Sequence, residues 1–256
     1  MFKKLIVIAA VLFAYPAFAD VDKLPPQEMH WQFDGFFGTF DRQSIQRGYK
    51  VYAEVCSACH SLKRIAFRNL QEIGFSEEEV KSLAAGHSVQ DGPNDDGEMF
   101  ERPARPSDHF SGPYANDQAA RASNNGALPP DLSLIIKARE DGANYVYSLL
   151  TGFQTPPADF VVGENMHYNP YFAGGGRQLA MTPPLINVGQ VQFDDGTKAT
   201  IEQMAHDVVD FLQWAAEPEM EARKGLGIKV MIFFVIFTLV MYLAKVRIWS
   251  RIKNND

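Results

Sequence analysis

Two cysteines and a histidine within five residues form the strongest chemical signal in this 256-residue chain. Cys56-Ser-Ala-Cys59-His60 is a C-x-x-C-H motif, the pattern to which a c-type haem is attached. The two thiols have the spacing to form thioethers with the two vinyl groups of one porphyrin, and the neighbouring imidazole is placed to bind the iron. The motif therefore predicts one covalent haem c, held through Cys56 and Cys59, with His60 as an iron ligand.

The cysteine pair has two other conceivable uses. The chain contains 2 Cys, so a structural zinc site would lack a second cysteine pair to complete it. A thioredoxin-like dithiol stays open on the motif alone, although the sequence around it shows no βαβ pattern. Haem attachment is the leading hypothesis.

A second iron ligand decides whether such a haem carries electrons or offers an open, reactive site. Methionine closes the site and raises the potential. Met181 stands out because two prolines follow at positions 183 and 184, and proline fixes its own φ and restrains the residue before it. Met204, by contrast, has the spacing of a helical core residue. The other methionines and histidines of the region after the leader stay open as rivals: Met29, Met99, Met166, Met220, His30, His87, His109, His167 and His206.

The N-terminus has the composition of a bacterial secretory signal peptide. Lys3 and Lys4 precede an apolar run over residues 5–14, and the triplet Ala17-Phe18-Ala19 then supplies a cleavage site. We expect residues 1–19 to be removed. An uncleaved anchor is the alternative, but the apolar run is short for a membrane span.

The C-terminus has the composition of a membrane anchor. Leu226–Ala244 carries one charge, Lys229, and its 19 residues would extend about 28 Å as a helix, close to the thickness of a bilayer core. Lys229 lies near the start of this segment, where its ammonium group can reach the interface. The segment after it is basic, which predicts a cytoplasmic tail, and its cations are Lys245, Arg247, Arg251 and Lys253.

These signals divide the chain into four parts and place it in a bacterial inner membrane with the haem outside. The predicted parts are a cleaved signal peptide (1–19), a periplasmic cytochrome c domain (20–222), a single transmembrane anchor (223–246) and a cytoplasmic tail (247–256).

The exported region is acidic. Residues 20–244 contain 18 Lys and Arg against 30 Asp and Glu, a formal charge of −12. This balance excludes nucleic acid as an expected partner and favours a cationic one, although acidic residues also serve solubility. Asp95, Asp96 and Glu98, in a segment of turn composition, are one candidate docking patch.

Two longer helices are predicted in the exported domain. The first, over residues 42–58, has Ile45, Tyr49, Tyr52 and Cys56 on one face and delivers the haem motif at its end. Gly48 would permit another helix to approach closely, or it is a tolerated surface glycine.

The second helix is predicted over residues 201–216, with a capping box between Thr200 and Gln203 and a stop at Pro218. A shorter helix over 76–85 begins with another capping box, between Ser76 and Glu79. The rest of the domain is expected to be loop-rich.

At this point the sequence resembles the cytochrome c1 family over nearly its whole mature length. C-x-x-C-H alone is common to c-type cytochromes, but a series of motifs in this order is specific. The motifs are Arg47–Tyr52 before Cys56–His60, then Gln90–Met99, Asn124–Leu132, Tyr145–Gly152, Tyr168–Phe172, Met181–Leu185 and Phe211–Pro218. The resemblance implies a mainly α, c-type cytochrome fold with long loop insertions, plus one C-terminal transmembrane helix.

The resemblance also implies roles for particular residues. Met181 becomes the distal iron ligand, Leu128 and Pro130 lie against the haem, and Arg139 and Tyr145 match positions that contact its propionates. Some bacterial members have an extra disulfide, for which this chain has no cysteines. We therefore expect packing alone to hold Met181.

The function implied is that of an electron-transfer subunit of ubiquinol–cytochrome c oxidoreductase, the cytochrome bc1 complex. Its partners would be cytochrome b, the Rieske iron–sulfur protein as donor, and a soluble or tethered cytochrome c as acceptor. The chain would be an electron carrier that catalyses nothing unaided. A free-standing, membrane-anchored cytochrome c shuttle is the alternative, and an open-site haem enzyme or sensor is a third hypothesis.

Overall fold

The computed structural model describes residues 24–172, 174 and 176–253, with side chains up to residue 250. The predicted signal peptide therefore lies outside the described residues. The helices are α1 (Arg42–Glu54), α2 (Glu77–Ala85), α3 (Asp117–Ser123), α4 (Gly142–Thr151), α5 (Ile201–Ala216) and α6 (Met220–Lys253), with 3-10 helices at Cys56–Ala58 and Phe67–Ile73. The strands are β1 (Leu62–Ala66), β2 (Ser88–Asp91), β3 (Phe100–Pro103), β4 (His109–Phe110), β5 (His167–Tyr168) and β6 (Gln178–Leu179).

The mainly α fold with one long apolar C-terminal helix is confirmed. The strands pair antiparallel as β1–β4, β2–β3 and β5–β6, and each pair is a short ribbon within the loop-rich part of the chain. Helices α3 and α4 were not among the predicted elements.

The core is built where α1 packs across α5. Tyr49 and Tyr52 meet Phe211 with ring centroids 5.8 and 5.7 Å apart, and Trp214 and Met204 are almost fully buried beside them. This arrangement confirms Met204 as a core residue. The haem motif follows directly from the C-terminal end of α1, and Val55 and Cys56 pack against this core.

Gly48 lies at the point of closest approach. A Cβ atom there would be 1.9 Å from the backbone oxygen of Asp207 and 2.8 Å from Cβ of Phe211. Since no real Cβ contact is so short, only glycine lets the two helices lie at this distance. The close-approach interpretation of Gly48 is the one the structure supports.

Gly48→Ala should therefore destabilise the domain strongly. Overpacking a well-packed core costs about 1–3 kcal/mol and occasionally more, and here the clash is with backbone, which cannot rotate away. Chemical denaturation of the full-length protein in detergent, followed through circular dichroism, measures the change. Gly225→Ala is the matched control, because a Cβ there meets nothing within 4 Å. Equal stability of the two variants would contradict the role given to Gly48.

Hydrogen bonds between buried polar groups also join α1 to α5 at this crossing. The Ser44 hydroxyl lies 2.7 Å from Oδ1 of Asp207, and Arg47 Nε donates to Oδ2 of Asp207 at 2.7 Å. Asp207 is fully buried, and removing one partner of a buried ion pair is strongly destabilising because it leaves the other charge unpaired. The pair with Arg47 joins α1 to α5 at one register.

The predicted helix ends differ from the observed ones in two places. The α-helix stops at Glu54 and a 3-10 turn carries Cys56, so the predicted helix over 42–58 was four residues too long. Thr200 caps α5 through its hydroxyl, but Gln203 Nε2 donates to Asp207 at 3.0 Å. The capping box is therefore only half formed, because the buried carboxylate competes for Gln203. The capping box of Ser76 and Glu79 is confirmed.

The C-terminal helix α6 is one continuous element of 34 residues. The stretch Met220–Ser250 is long and apolar enough to cross a membrane, and it contains an 18-residue window with a mean hydropathy of 2.4 and no residue buried within the protein. Its first turns nevertheless belong to the domain. Met220 is buried, and Glu221 Oε1 accepts from the backbone N–H of Phe40 at 2.7 Å.

Where the chain is cut should therefore decide how stable the released domain is. A protein ending at Gly225 keeps the contacts of Met220, Glu221 and Lys224, whereas one ending at Pro218 loses them. A hydrogen bond to a charged group contributes about 1.5–3 kcal/mol to stability. The hydrogen bonds of Glu221 and Lys224 are partly exposed. We expect both truncations to leave the membrane fraction and the shorter to melt at a lower temperature, as measured by scanning calorimetry. Identical melting temperatures would show that the first turn of α6 is dispensable.

Candidate functional site

The C-x-x-C-H residues are held on one tight turn. The N–H groups of Cys59 and His60 both donate to the backbone oxygen of Cys56, at 3.1 and 2.9 Å. Because α1 ends immediately before this turn, the end of this one helix positions both thiols and the imidazole. The Cys56 and Cys59 thiols are free, one half-buried and one exposed.

The tautomer of His60 is fixed by a backbone carbonyl. Nδ1 lies 2.7 Å from the oxygen of Pro130, and a carbonyl oxygen can only accept, so Nδ1 carries the hydrogen. Nε2 is then left with its lone pair, which is the form of imidazole that binds a metal. The structure thus brings together two of the predicted site residues, His60 and Pro130.

Asp131 clamps the Pro130 segment to the chain that follows the motif. Its carboxylate accepts from the Ser61 hydroxyl at 2.7 Å, from the Lys63 N–H at 2.8 Å and from the Ser133 N–H at 3.0 Å. The N–H of Leu132 also donates to the oxygen of Ser61 at 2.9 Å. Asp131 was not among the predicted site residues, although an acid directly after two prolines, in a loop expected at the haem, was the available signal.

The pKa values of the site residues are set by the hydrogen bonds of Asp131 and by burial. Burial alone would raise the pKa of the Asp131 carboxyl, but its hydrogen bonds from Lys63, Ser133 and Ser61 lower it below the ordinary value. Burial lowers the pKa of His60, against the hydrogen bond to Pro130, which favours the neutral, ligating imidazole. Burial raises the pKa of the Cys56 thiol to about 12.

Met181 lies on a different part of the chain, just after the β5–β6 ribbon. It is half-buried, two residues beyond β6, and the paired strands place Tyr168 opposite Gln178. Beyond it, Leu185 is buried, and Gln190 Nε2 donates to the oxygen of Pro184 at 2.8 Å. The chain is therefore fixed on both sides of Met181.

Hydrogen bonds as well as packing hold this region, so the expectation of packing alone was too narrow. Asn169 is fully buried, its N–H donates to the oxygen of Arg177 at 2.9 Å, and its Nδ2 donates to the oxygen of Leu149 at 2.8 Å. It thus ties the ribbon before Met181 to the end of α4. Asn169 lies in the motif 168–172 but was given no role by the sequence.

The remaining predicted residues occupy other positions. Leu128 is 37% exposed and precedes the Pro130 segment. Tyr145 is buried in α4, whereas Arg139 is exposed and donates through Nη1 to the oxygen of Ala138 at 3.0 Å. Their contacts with a haem remain predictions.

A cavity of about 630 Å³ lies beside residues 183–186, but Met181 itself does not line it. Pro183, Leu185 and the rival ligands Met166 and His167 line it, together with the end of α4. None of its lining residues belongs to the C-x-x-C-H turn, so the structure does not assign this cavity to the haem site.

A sequence model described as the Cytochrome C1 family matches residues 31–252. The chain belongs to the cytochrome c1 family. It is 43% identical over 270 residues to "Cytochrome c1" of Rhodospirillum rubrum, which covers 98% of each protein. It is 50% identical over 230 residues to "Cytochrome c1 1, heme protein, mitochondrial" of Arabidopsis thaliana, covering 90% of this chain and 72% of that protein.

A third relative is named as part of an assembly. "Cytochrome b-c1 complex catalytic subunit, mitochondrial" of Candida albicans is 47% identical over 232 residues, covering 90% of this chain and 80% of that protein. Membership of the cytochrome c1 family implies a haem. Cys56, Cys59 and His60 fit that group, because the turn presents both thiols and His60 keeps Nε2 for the iron.

Proposed function

We propose that this chain is the haem-bearing electron-transfer subunit of a ubiquinol–cytochrome c oxidoreductase. The observation that carries the proposal is the hydrogen bond from Nδ1 of His60 to Pro130, within a chain of the cytochrome c1 family. A haem c would be held through the thiols of Cys56 and Cys59, and His60 and Met181 would bind its iron. When bound, the haem supplies reversible one-electron chemistry.

The protein residues orient this group and keep water from it. Pro130, held by Asp131, sets the ring of His60, and second-sphere partners of this kind raise the basicity of a ligating imidazole. The β5–β6 ribbon and Gln190 fix the reach of the Met181 thioether. Leu128, Arg139 and Tyr145 complete the proposed binding set, the first by apolar contact and the other two towards the propionates.

The proposed topology places the haem domain on the periplasmic side of a bacterial inner membrane. It combines removal of residues 1–19, a domain over 20–222, an anchor over 223–246 and a cytoplasmic tail over 247–256. The apolar helix α6 supports the anchor, and the basic residues after Ala244 support the orientation.

The proposed partners are cytochrome b, a Rieske iron–sulfur protein as electron donor and a soluble or tethered cytochrome c as acceptor. The assembly name of the Candida albicans relative supports cytochrome b. The donor and the acceptor are proposed on the family resemblance.

Purification from detergent-solubilised membranes tests this function. An affinity tag after residue 256 should recover cytochrome b and an iron–sulfur protein, and the preparation should reduce added cytochrome c when ubiquinol is supplied. A tagged chain that is reduced by other donors but retains neither partner would instead be the free-standing shuttle. Carbon monoxide binding to the reduced wild-type protein would identify an open-site haem protein.

The acidic exported region predicts salt-dependent delivery of electrons. Oxidation of the reduced protein by a basic soluble cytochrome c should slow as salt rises, because the Debye length is about 8 Å at 0.15 M and longer-range steering is screened. Stopped-flow rates at a series of salt concentrations measure this. A rate independent of salt would contradict electrostatic docking.

The hairpin tip between β2 and β3 gives a matched pair of variants for that measurement. Asp95, Asp96 and Glu98 are exposed at the tip, whereas Asp91 already pairs with Arg102. Neutralising the first three as amides should flatten the salt slope if they dock the acceptor. Neutralising Glu77 and Glu78, which are exposed on α2, is the control.

A further inference from the structure

The chain turn over residues 33–38, here called the Phe loop, carries an exposed pair of aromatic rings. Phe36 is 56% and Phe37 is 80% exposed, and their rings contact each other edge to face with centroids 5.1 Å apart. Phe33, at the start of the loop, is instead buried against Trp31 with ring centroids 5.5 Å apart. One ring thus anchors the loop while the next two face outward.

The Phe loop is hydrogen-bonded to the first turns of α6. Lys224 Nζ donates to the backbone oxygen of Phe33 at 2.6 Å and to that of Gly38 at 3.1 Å. One turn earlier on α6, Glu221 accepts from the N–H of Phe40 and pairs with Arg42 at 2.6 Å. The Phe loop is therefore held at a defined position along α6, the helix proposed to enter the membrane.

The order of these contacts gives the loop a direction. Phe40 is held at the level of Glu221, and Gly38 is held at the level of Lys224, which is one turn nearer the apolar segment. Both ends of the 34–37 turn meet the same ammonium group, so the exposed rings of Phe36 and Phe37 are on the part of the loop between these two bonds. The N–H of Thr39 also donates to the oxygen of Gln32 at 3.1 Å, which closes the loop into a compact unit.

The height of Lys224 is that of a bilayer interface. The apolar run begins at Leu226, about 3 Å further along the helix at 1.5 Å per residue. The polar interface of a bilayer extends about 5–7 Å beyond each side of the hydrocarbon core. Residues bonded to Lys224 consequently lie near the lipid headgroups, where Trp and Tyr are enriched and where interfacial segments bury Phe and Leu at the boundary with the acyl chains.

We infer that Phe36 and Phe37 insert into the membrane interface beside α6 and form a second lipid contact of the haem domain. The occupant of this surface is lipid, because the loop is continuous with the anchor through Lys224 and Glu221. The Phe loop and α6 would contact the membrane at two different points. Together they would restrict the tilt of the haem domain, whereas α6 alone would not. This inference rests on the anchor proposed above.

The test is spin labelling of the full-length, haem-loaded protein in vesicles of phosphatidylcholine and phosphatidylglycerol. The chain contains 2 Cys, both used by the proposed haem, so Phe37→Cys introduces one reactive thiol. Power saturation with oxygen, which concentrates in lipid, and with a water-soluble nickel chelate then reports the depth of the label. Val161→Cys is the water-exposed control, at 88% exposure, and Val235→Cys is the control in the middle of the apolar run of α6, at 58% exposure.

We expect the ratio of oxygen to nickel accessibility at position 37 to be several-fold higher than at position 161 and no higher than at position 235. Phe36→Cys should give the same result, and the haem absorption spectrum shows that each variant is folded. A ratio at position 37 equal to that at position 161, or a label shielded from both reagents, overturns the lipid contact. A water-like label at position 235 would instead contradict the anchor itself and the inference with it.

Discussion

Replacing either cysteine of the C-x-x-C-H motif should abolish normal haem attachment. In Cys56→Ala or Cys59→Ala, one thioether at most can form, because the chain contains 2 Cys and no other thiol can substitute. A pyridine haemochrome spectrum should then shift from the two-thioether form towards that of haem with a free vinyl group. The double variant should show no haem staining on a denaturing gel.

Ser57→Ala is the control for that pair. Its hydroxyl donates to the oxygen of Ala53 at 2.6 Å within the same turn, but it offers no thiol. It should keep the full two-thioether spectrum. If both single-cysteine variants also keep that spectrum, the motif assignment is wrong.

Replacing Met181 by leucine should open the distal side of the site. Leucine is close to methionine in volume, so packing is largely kept, while the thioether is lost. Thioether ligation raises the midpoint potential, so the potential should fall substantially and carbon monoxide should bind the reduced form. Redox titration and the carbon monoxide difference spectrum measure the two effects.

Met166→Leu is the matched control, because Met166 lines the cavity beside residues 183–186. It should keep its potential and remain closed to carbon monoxide. The opposite pattern, with Met181→Leu unchanged and Met166→Leu open, would move the distal ligand to Met166. If both variants stay closed, the neighbouring His167 is the residue to replace next.

The parts of the fold that could be predicted from sequence are those governed by local chemistry. The helical spacing of Met204 with its neighbours, the cap at Ser76 and the apolar composition after Leu226 depend on nearby residues alone, and each was found in the structure. The role of Gly48 could be predicted in part. Its presence indicated a close approach, but its neighbour Asp207 was not predictable from spacing.

The features that sequence reasoning missed depend on contacts between distant segments. Asp131 reaches Ser61 across 70 residues, and Asn169 reaches Leu149 across 20. No periodicity encodes such pairs, because they are created by the packing of loops onto the helical core. For the same reason Arg139 and Tyr145 were assigned through the family resemblance and not through spacing.

The crossing of α1 and α5 has a consequence for how the protein is made. Ser44 and Asp207, which meet there, are 163 residues apart, so this contact can close only after almost the whole domain has been synthesised. Cys56 and Cys59 emerge early in that interval. At about 5–20 residues per second, translation leaves roughly 7–30 s between the motif and α5. The two thiols therefore exist on a chain whose α1–α5 core cannot yet close.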